Sequence, residues 1–323
     1  MTDFWAPWPD LARRLVEVRE AMRDVVRSGR FPLAGQVERL IVADGKMIRP
    51  AFLLMAAGFG RKPREESDLV SLAAAVELLH VATLVHDDVI DEAATRRGVP
   101  TLHAACGVKN AVLAGDWLLS RAFNLASGVS SPGNARLLAA LVGAICAEEI
   151  HQDLERFAWP DSVRNYLRKI AGKTAAMFAL ALRAGAVETG AGPRTVALLT
   201  RTGYDTGMAF QIMDDVLDYE STEGAMRKPV GRDLREGLCT LPLVLALRTA
   251  DTGVRPLLGP GRPDDATVAA VTAAVKASGA LDASRAMAAS YTGRAMAEIR
   301  RLPAVPARAV LADVVDRLLS RSN

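Results

Sequence analysis

Leu11, Leu15, Val18, Met22 and Val25 recur at three- and four-residue spacing, while arginine and glutamate fill the positions between them. That pattern predicts an amphipathic opening helix with Asp10 as a candidate N-cap. Beyond Ser67 the chain turns rich in alanine and leucine, and the apolar stretches 69–86, 111–126 and 135–152 are too long for strands. They read as helices, several of them mostly buried. Pro160-Asp161 opens a further helical stretch through Tyr166, Ile170 and Phe178, and another covers 195–219. Loops are expected at 127–133, 190–193, 223–237 and 253–263, where glycine, proline and small polar residues gather. No apolar–polar alternation long enough to build a sheet occurs, and no repeat of solenoid length. The expected architecture is all-α: one domain over 1–323, a helical bundle around a central apolar cavity.

Composition narrows the class without deciding it. The 323 residues are 50% hydrophobic, enough for a large core. With 40 Lys+Arg against 37 Asp+Glu the formal charge is only +3, which argues against nucleic acid as a partner. Cys106, Cys146 and Cys239 are odd in number and lack zinc-ligand spacing, so a reducing cytoplasm is expected. The opening residues lack the basic-then-apolar order of a secretory signal. Apolar runs are broken by charge, as at Glu148-Glu149, before they reach the roughly 20 residues of a membrane span. A transmembrane protein is not expected, although a greasy product would allow peripheral contact with a membrane.

Two acidic strings carry the chemistry. Asp87-Asp88 and Asp91 end one apolar helix, and Asp214-Asp215 and Asp218 end another, each with aspartates one turn apart on a single face. One such string is read most simply as a solvated helix end. With aspartate at roughly 6% of residues, chance supplies one DDxxD in about one chain in twenty of this length, and two in only about one in several hundred. Both also interrupt apolar helices, where isolated charge is costly. Oxygen donors without histidine or cysteine select Mg²⁺, which takes one or two carboxylates and completes its shell with water and substrate phosphates.

A magnesium-bound diphosphate needs further cations. Candidates are Lys46 and Arg49 in Gly45-Lys46-Met47-Ile48-Arg49-Pro50, then Arg96 and Arg97 before Gly98, then Lys173-Thr174 and Lys228. Each string alone is commonly a solvated surface. No GxxxxGK[ST] string is present, which tells against phosphoryl transfer by a P-loop enzyme. If diphosphate instead departs as a leaving group, the carbocation left behind requires an apolar, water-free cavity, which a bundle lined by alanine and leucine supplies.

The ordered set of strings resembles the trans-isoprenyl diphosphate synthases, the polyprenyl synthetases. It runs through Glu77-Leu78-Leu79-His80, the first aspartate string with Arg96-Arg97-Gly98, Gly115-Asp116, Glu149-x-x-Gln152, Lys173-Thr174, Phe210-Gln211 with the second string, and Asp233-Leu234 to Thr240-Leu241-Pro242. That resemblance implies catalytic, Mg²⁺-holding roles for Asp87, Asp88, Asp91, Asp214, Asp215 and Asp218 on an allylic diphosphate, helped by Arg96, Lys173, Thr174, Gln211 and Lys228. It assigns isopentenyl diphosphate to Lys46, Arg49, His80 and Arg97, although His80 taken alone reads more simply as a packed helix histidine. It also implies a homodimer. Two departures stand out: Met47 where many members carry arginine, and Leu238 where many carry lysine, with Arg232 or Arg235 as candidate substitutes.

Small Ala82 and Thr83, one turn below the first string, resemble long-chain members, which implies a product of roughly hexaprenyl to decaprenyl length, octaprenyl at the centre. Competing readings are a short-chain synthase making farnesyl or geranylgeranyl diphosphate, the catalytic subunit of a heteromer, and a non-catalytic regulatory subunit. A terpene cyclase is disfavoured, because its second metal motif mixes Asn, Ser and Glu where this chain repeats aspartate.

Overall fold

The computed structural model describes residues 3–42, 45–96, 98–220 and 231–320. Arg97 and Lys228 therefore lie outside the described residues. The fold is all-α, as the apolar periodicity requires. Its strand content among the described residues is a two-residue antiparallel ribbon, β1 (Thr95–Arg96) against β2 (Val99–Pro100). The described residues gather into two compact units, one made of 1–139, 180–199 and 302–311, the other of 140–179, 200–301 and 312–323.

In the first unit, α1 (Pro9–Ser28) buries Leu11, Leu15, Val18, Met22 and Val25 as expected. Asp10 is not its cap. Pro9 already opens the helix, its fixed φ and missing N–H suiting the first position, and Asp10 sits in the first turn where the helix dipole favours a carboxylate. Two short helices follow, α2 (Ala34–Val42) and α3 (Ile48–Ala57). The long α4 (Glu66–Ile90) then buries residues on almost every side, and α1, α3 and α6 (Val108–Val129) pack against it; α5 (Leu102–Cys106) precedes α6. Gly115 explains how closely α4 and α6 approach: a Cβ there would lie 2.2 Å from His86 Nε2. The same ring reaches Asp116 Oδ1 at 3.4 Å, so the Gly115-Asp116 pair serves helix packing.

Next along the chain come α7 (Pro132–Leu154), α8 (Val163–Ile170), a π-helical turn (Ala171–Ala175), α9 (Ala176–Glu188) and α10 (Pro193–Glu220). The expected loop at 127–133 shrinks accordingly to Ser130-Ser131. The Pro160-Asp161 start also moves: Ser162 accepts a hydrogen bond from Asn165 N at 3.2 Å, and that cap sets the helix at Val163. Within 231–237, read as loop, a single helical turn forms, α11 (Arg232–Arg235). The second unit is completed around α12 (Leu241–Arg248), α13 (Asp265–Ala277) and α14 (Ala280–Arg300), whose core holds Tyr166, Ile212, Val216, Tyr219 and Leu234. The last helix is α15 (Pro306–Leu319).

Two helical stretches, Glu66–Ile90 and Val163–Glu188, are long and apolar enough to cross a membrane. In each, 67% of the apolar window is buried inside protein, the pattern of a core helix.

Candidate active site

The first aspartate string sits where α4 ends. Asp91 follows the last helical residue, and its N–H donates to Asp87 O at 2.8 Å, so the two stay one turn apart. Their neighbour behaves differently. Asp88 is 2% exposed, and its Oδ1 accepts from Arg96 Nε at 2.7 Å. The ribbon makes that contact possible: Gly98 adopts φ +80, open to glycine without a Cβ clash, and the returning strand holds Arg96 over the helix end. Burying a carboxylate is tolerable only with such a partner. Gly45, Met47, Glu77, His80, Asp88 and Arg96 line one pocket. His80 therefore faces a cavity that an aspartate and an arginine share.

Lys46 and Arg49 flank the start of α3. The Lys46 carbonyl accepts from Trp5 Nε1 at 2.6 Å, and its ammonium lies 5.8 Å from the Phe4 ring centroid. Trp5 thus clamps the segment that carries the lysine. Met47 occupies the left-handed region at φ +53 and is buried, so this position between Lys46 and Arg49 is apolar. In the chain-length pair, Ala82 is fully buried, whereas Thr83 is partly exposed and donates its hydroxyl to His80 O at 2.8 Å.

The second string lies at the end of α10 and repeats the build of the first. Asp214 is exposed and Asp218 partly so, while Asp215 between them is 5% exposed. Both Asp215 oxygens accept: Oδ2 from the Tyr166 hydroxyl at 2.6 Å, Oδ1 from Gln211 Nε2 at 2.8 Å. Gln211 is itself fixed, accepting from the Thr174 hydroxyl at 2.8 Å. Thr174 and Lys173 stand in the π-helical turn, a local distortion common at functional sites, and Lys173 pairs with Glu149. Asp218 accepts from the backbone N–H groups of Arg232 and Asp233, each at 3.3 Å. The candidate substitutes for the missing lysine at 238 bind carboxylates of their own, Arg232 on Glu236 at 2.6 Å and Arg235 on Asp265 at 2.9 Å.

Burial pushes Asp215 up to about 7; the Tyr166 and Gln211 hydrogen bonds pull it back, and the charges of Asp214 and Asp218 push it further up. Asp218 is raised by burial as well, against the pull of its two backbone donors. Asp215 thus takes up a proton on folding near neutrality, since an unfolded aspartate stays ionised there. Stability of the cation-free protein is therefore expected to rise as pH falls from 8 to 6, by about 1.4 kcal/mol per pH unit for each full proton gained. Urea unfolding at both pH values in the presence of a chelator checks this; greater stability at pH 8 would contradict it.

The donor set suits a hard divalent cation: oxygen ligands throughout, crowded enough to raise one another's affinity for positive charge. Among the described residues no three acidic, histidine or cysteine side chains form a ready-made metal cage. Mg²⁺ does not require one, because substrate phosphates and water supply most of its shell.

The polyprenyl synthetase family model matches residues 32–276, a span that holds both strings, His80, Arg96 and the π-helical turn. The chain belongs to that family. It is 37% identical over 306 residues to heptaprenyl diphosphate synthase component 2 of Geobacillus stearothermophilus, covering 94% of each chain. To nonaprenyl diphosphate synthase of Mycobacterium tuberculosis it is 34% identical over 311 residues, 95% of this chain and 92% of that one. A polyprenyl synthase from Caulobacter crescentus, solved with calcium and isoprenyl diphosphate, superposes with a TM-score of 0.89 at 34% identity, over 97% of this chain and 96% of that one. Both the resemblance carried by the ordered strings and the all-α class are borne out.

Sequence reasoning missed Tyr166 and Trp5. Each acts across a distance no local motif spans, 49 residues to Asp215 and 41 to Lys46. The one available signal for Tyr166 was a phenol on the buried face of an amphipathic helix, since a buried hydroxyl needs a partner.

Proposed function

We propose that this polyprenyl synthetase is a Mg²⁺-dependent prenyltransferase. It condenses isopentenyl diphosphate with an allylic diphosphate, repeatedly, to an all-trans chain of roughly hexaprenyl to decaprenyl length. One observation carries the reading: both aspartate strings share a build in which a buried middle carboxylate is clamped and its outer neighbours stay accessible. A solvated helix end has no use for that arrangement twice. The long product is supported by relatives that bear heptaprenyl and nonaprenyl names and by the small residues Ala82 and Thr83.

Asp87, Asp91, Asp214 and Asp218 offer the accessible carboxylates, while Asp88 and Asp215 fix the register of each string. Bound magnesium supplies charge neutralisation to the allylic diphosphate. Lys173, Thr174, Gln211 and Arg96 orient that group, and Lys228 joins them from outside the described residues. Lys46, Arg49 and His80, with Arg97 also outside them, hold isopentenyl diphosphate. The allylic C–O bond breaks and its electron pair leaves with diphosphate. The isopentenyl double bond attacks the resulting cation to form the new C–C bond, and loss of a proton to the departing diphosphate restores an allylic alkene. No covalent enzyme intermediate is required.

The protein is read as a homodimer working in the cytoplasm. Ile150 and Leu154, one turn apart on α7, stay 62% and 77% exposed, an apolar pair that a second copy would cover. A second reading, a catalytic subunit needing a different small partner, is favoured by the "component 2" in one relative's name. Purified protein incubated with Mg²⁺, radiolabelled isopentenyl diphosphate and farnesyl diphosphate is expected to give a product ladder ending in the hexaprenyl to decaprenyl range, abolished by chelator. Elongation that stops at geranylgeranyl diphosphate would refute the long-chain reading, a cyclised hydrocarbon the reaction class. No elongation by a folded dimer would favour the heteromeric reading.

A further inference from the structure

Tyr166 lies outside the strings that carry the family resemblance, yet its phenol oxygen stands 2.6 Å from Asp215 Oδ2. Its ring is 3% exposed and held by its own helix: Ser162 caps α8, and Ile170 one turn on is buried in the same core. A phenylalanine would fill that space equally well. What the hydroxyl adds is a donor at the one Asp215 oxygen that Gln211 does not hold. With both oxygens pinned, the Asp215 side chain has a single orientation, and the turn of α10 carrying Asp214 and Asp218 cannot rotate without breaking the buried Tyr166–Asp215 bond and the Thr174–Gln211 bond that tie it to neighbouring elements.

We propose that Tyr166 is a positioning residue, fixing Asp215 so that the second aspartate string meets a magnesium diphosphate in one preset geometry. The proposal rests on the reading of that string as a magnesium site. Supporting partners of metal-binding carboxylates typically carry about 10- to 100-fold in metal affinity or activity. Preset geometry of this kind lowers the cation concentration a site needs, whereas simple core packing alters stability alone.

The test follows Tyr166→Phe by three measurements: the melting temperature, the Mg²⁺ concentration for half-maximal binding of inorganic pyrophosphate by titration calorimetry, and KM for isopentenyl diphosphate. The expected result is a melting temperature within a few degrees of the parent, a Mg²⁺ requirement raised about tenfold or more, and an unchanged KM for isopentenyl diphosphate. In a double-mutant cycle, Tyr166→Phe added to Asp215→Asn is expected to raise the Mg²⁺ requirement no further. Should the phenylalanine variant fail to fold, 4-fluorophenylalanine at position 166 fills the hydroxyl's volume without donating and is expected to give the same rise. An unchanged Mg²⁺ requirement, or full additivity in the cycle, overturns the proposal. If Mg²⁺ does not promote pyrophosphate binding to the parent protein either, the magnesium reading itself fails and takes the proposal with it.

Discussion

Asp87→Ala and Asp214→Ala are each expected to lower kcat by about a thousandfold, with the fold intact. Both residues keep accessible carboxylates at the end of a long apolar helix, so their removal leaves no cavity in the core. On the proposed mechanism, what disappears is the charge that gathers cations onto the leaving diphosphate. The loss therefore falls on the chemical step and on the Mg²⁺ requirement together. The middle residues behave otherwise. Asp88→Ala strips Arg96 of its partner, and Asp215→Ala leaves two donors without an acceptor, so part of the cost appears as lost stability. Single-turnover incorporation of radiolabelled isopentenyl diphosphate, beside melting curves for all four variants, separates the two classes. Outer variants within tenfold of the parent would remove the aspartate strings from the chemistry.

That distinction between outer and middle aspartates marks the limit of what the sequence discloses. The helices were legible because runs such as 69–86 are apolar for longer than a strand allows, and the strings because two DDxxD patterns are rare by chance. Which of two adjacent aspartates turns inward depends on how the helix is rotated, and tertiary packing sets that rotation. Asp88 points to Arg96 because a two-residue ribbon folds back over the helix end, and so short a ribbon leaves no alternation to detect. The start of α1 turns on a related point. Asp10 and Pro9 both suit a helix start, and the first position went to the residue whose φ is already fixed. Arg232 and Arg235, the candidate stand-ins for a lysine at 238, pair with Glu236 and Asp265, and the Arg232 charge also acts on Asp218 of the second string, a coupling that only the folded chain discloses.

Thr83→Phe is expected to shorten the principal product from the long-chain range to farnesyl or geranylgeranyl diphosphate, and Ala82→Phe to do the same at a greater cost in stability. Thr83 lies one turn, about 5.4 Å, below Asp87 on the same face of α4, so on the proposed reading an aromatic ring there would stand just beneath the reacting end of the chain. It is partly exposed and its hydroxyl only closes back on its own helix, so the ring has room and breaks no contact with another helix. Ala82 is fully buried, and a ring at that position must displace packed neighbours, a change that costs about 1–3 kcal/mol. The pair thus separates blockage from distortion. A wall acts through length alone, leaving the first condensation fast and halting later ones, whereas a distorted helix slows every step. Sizing radiolabelled products by reversed-phase chromatography after matched turnovers distinguishes them. If both variants retain the parental distribution, another residue limits product length, and Leu119 and Phe123 on α6 become the positions to exchange.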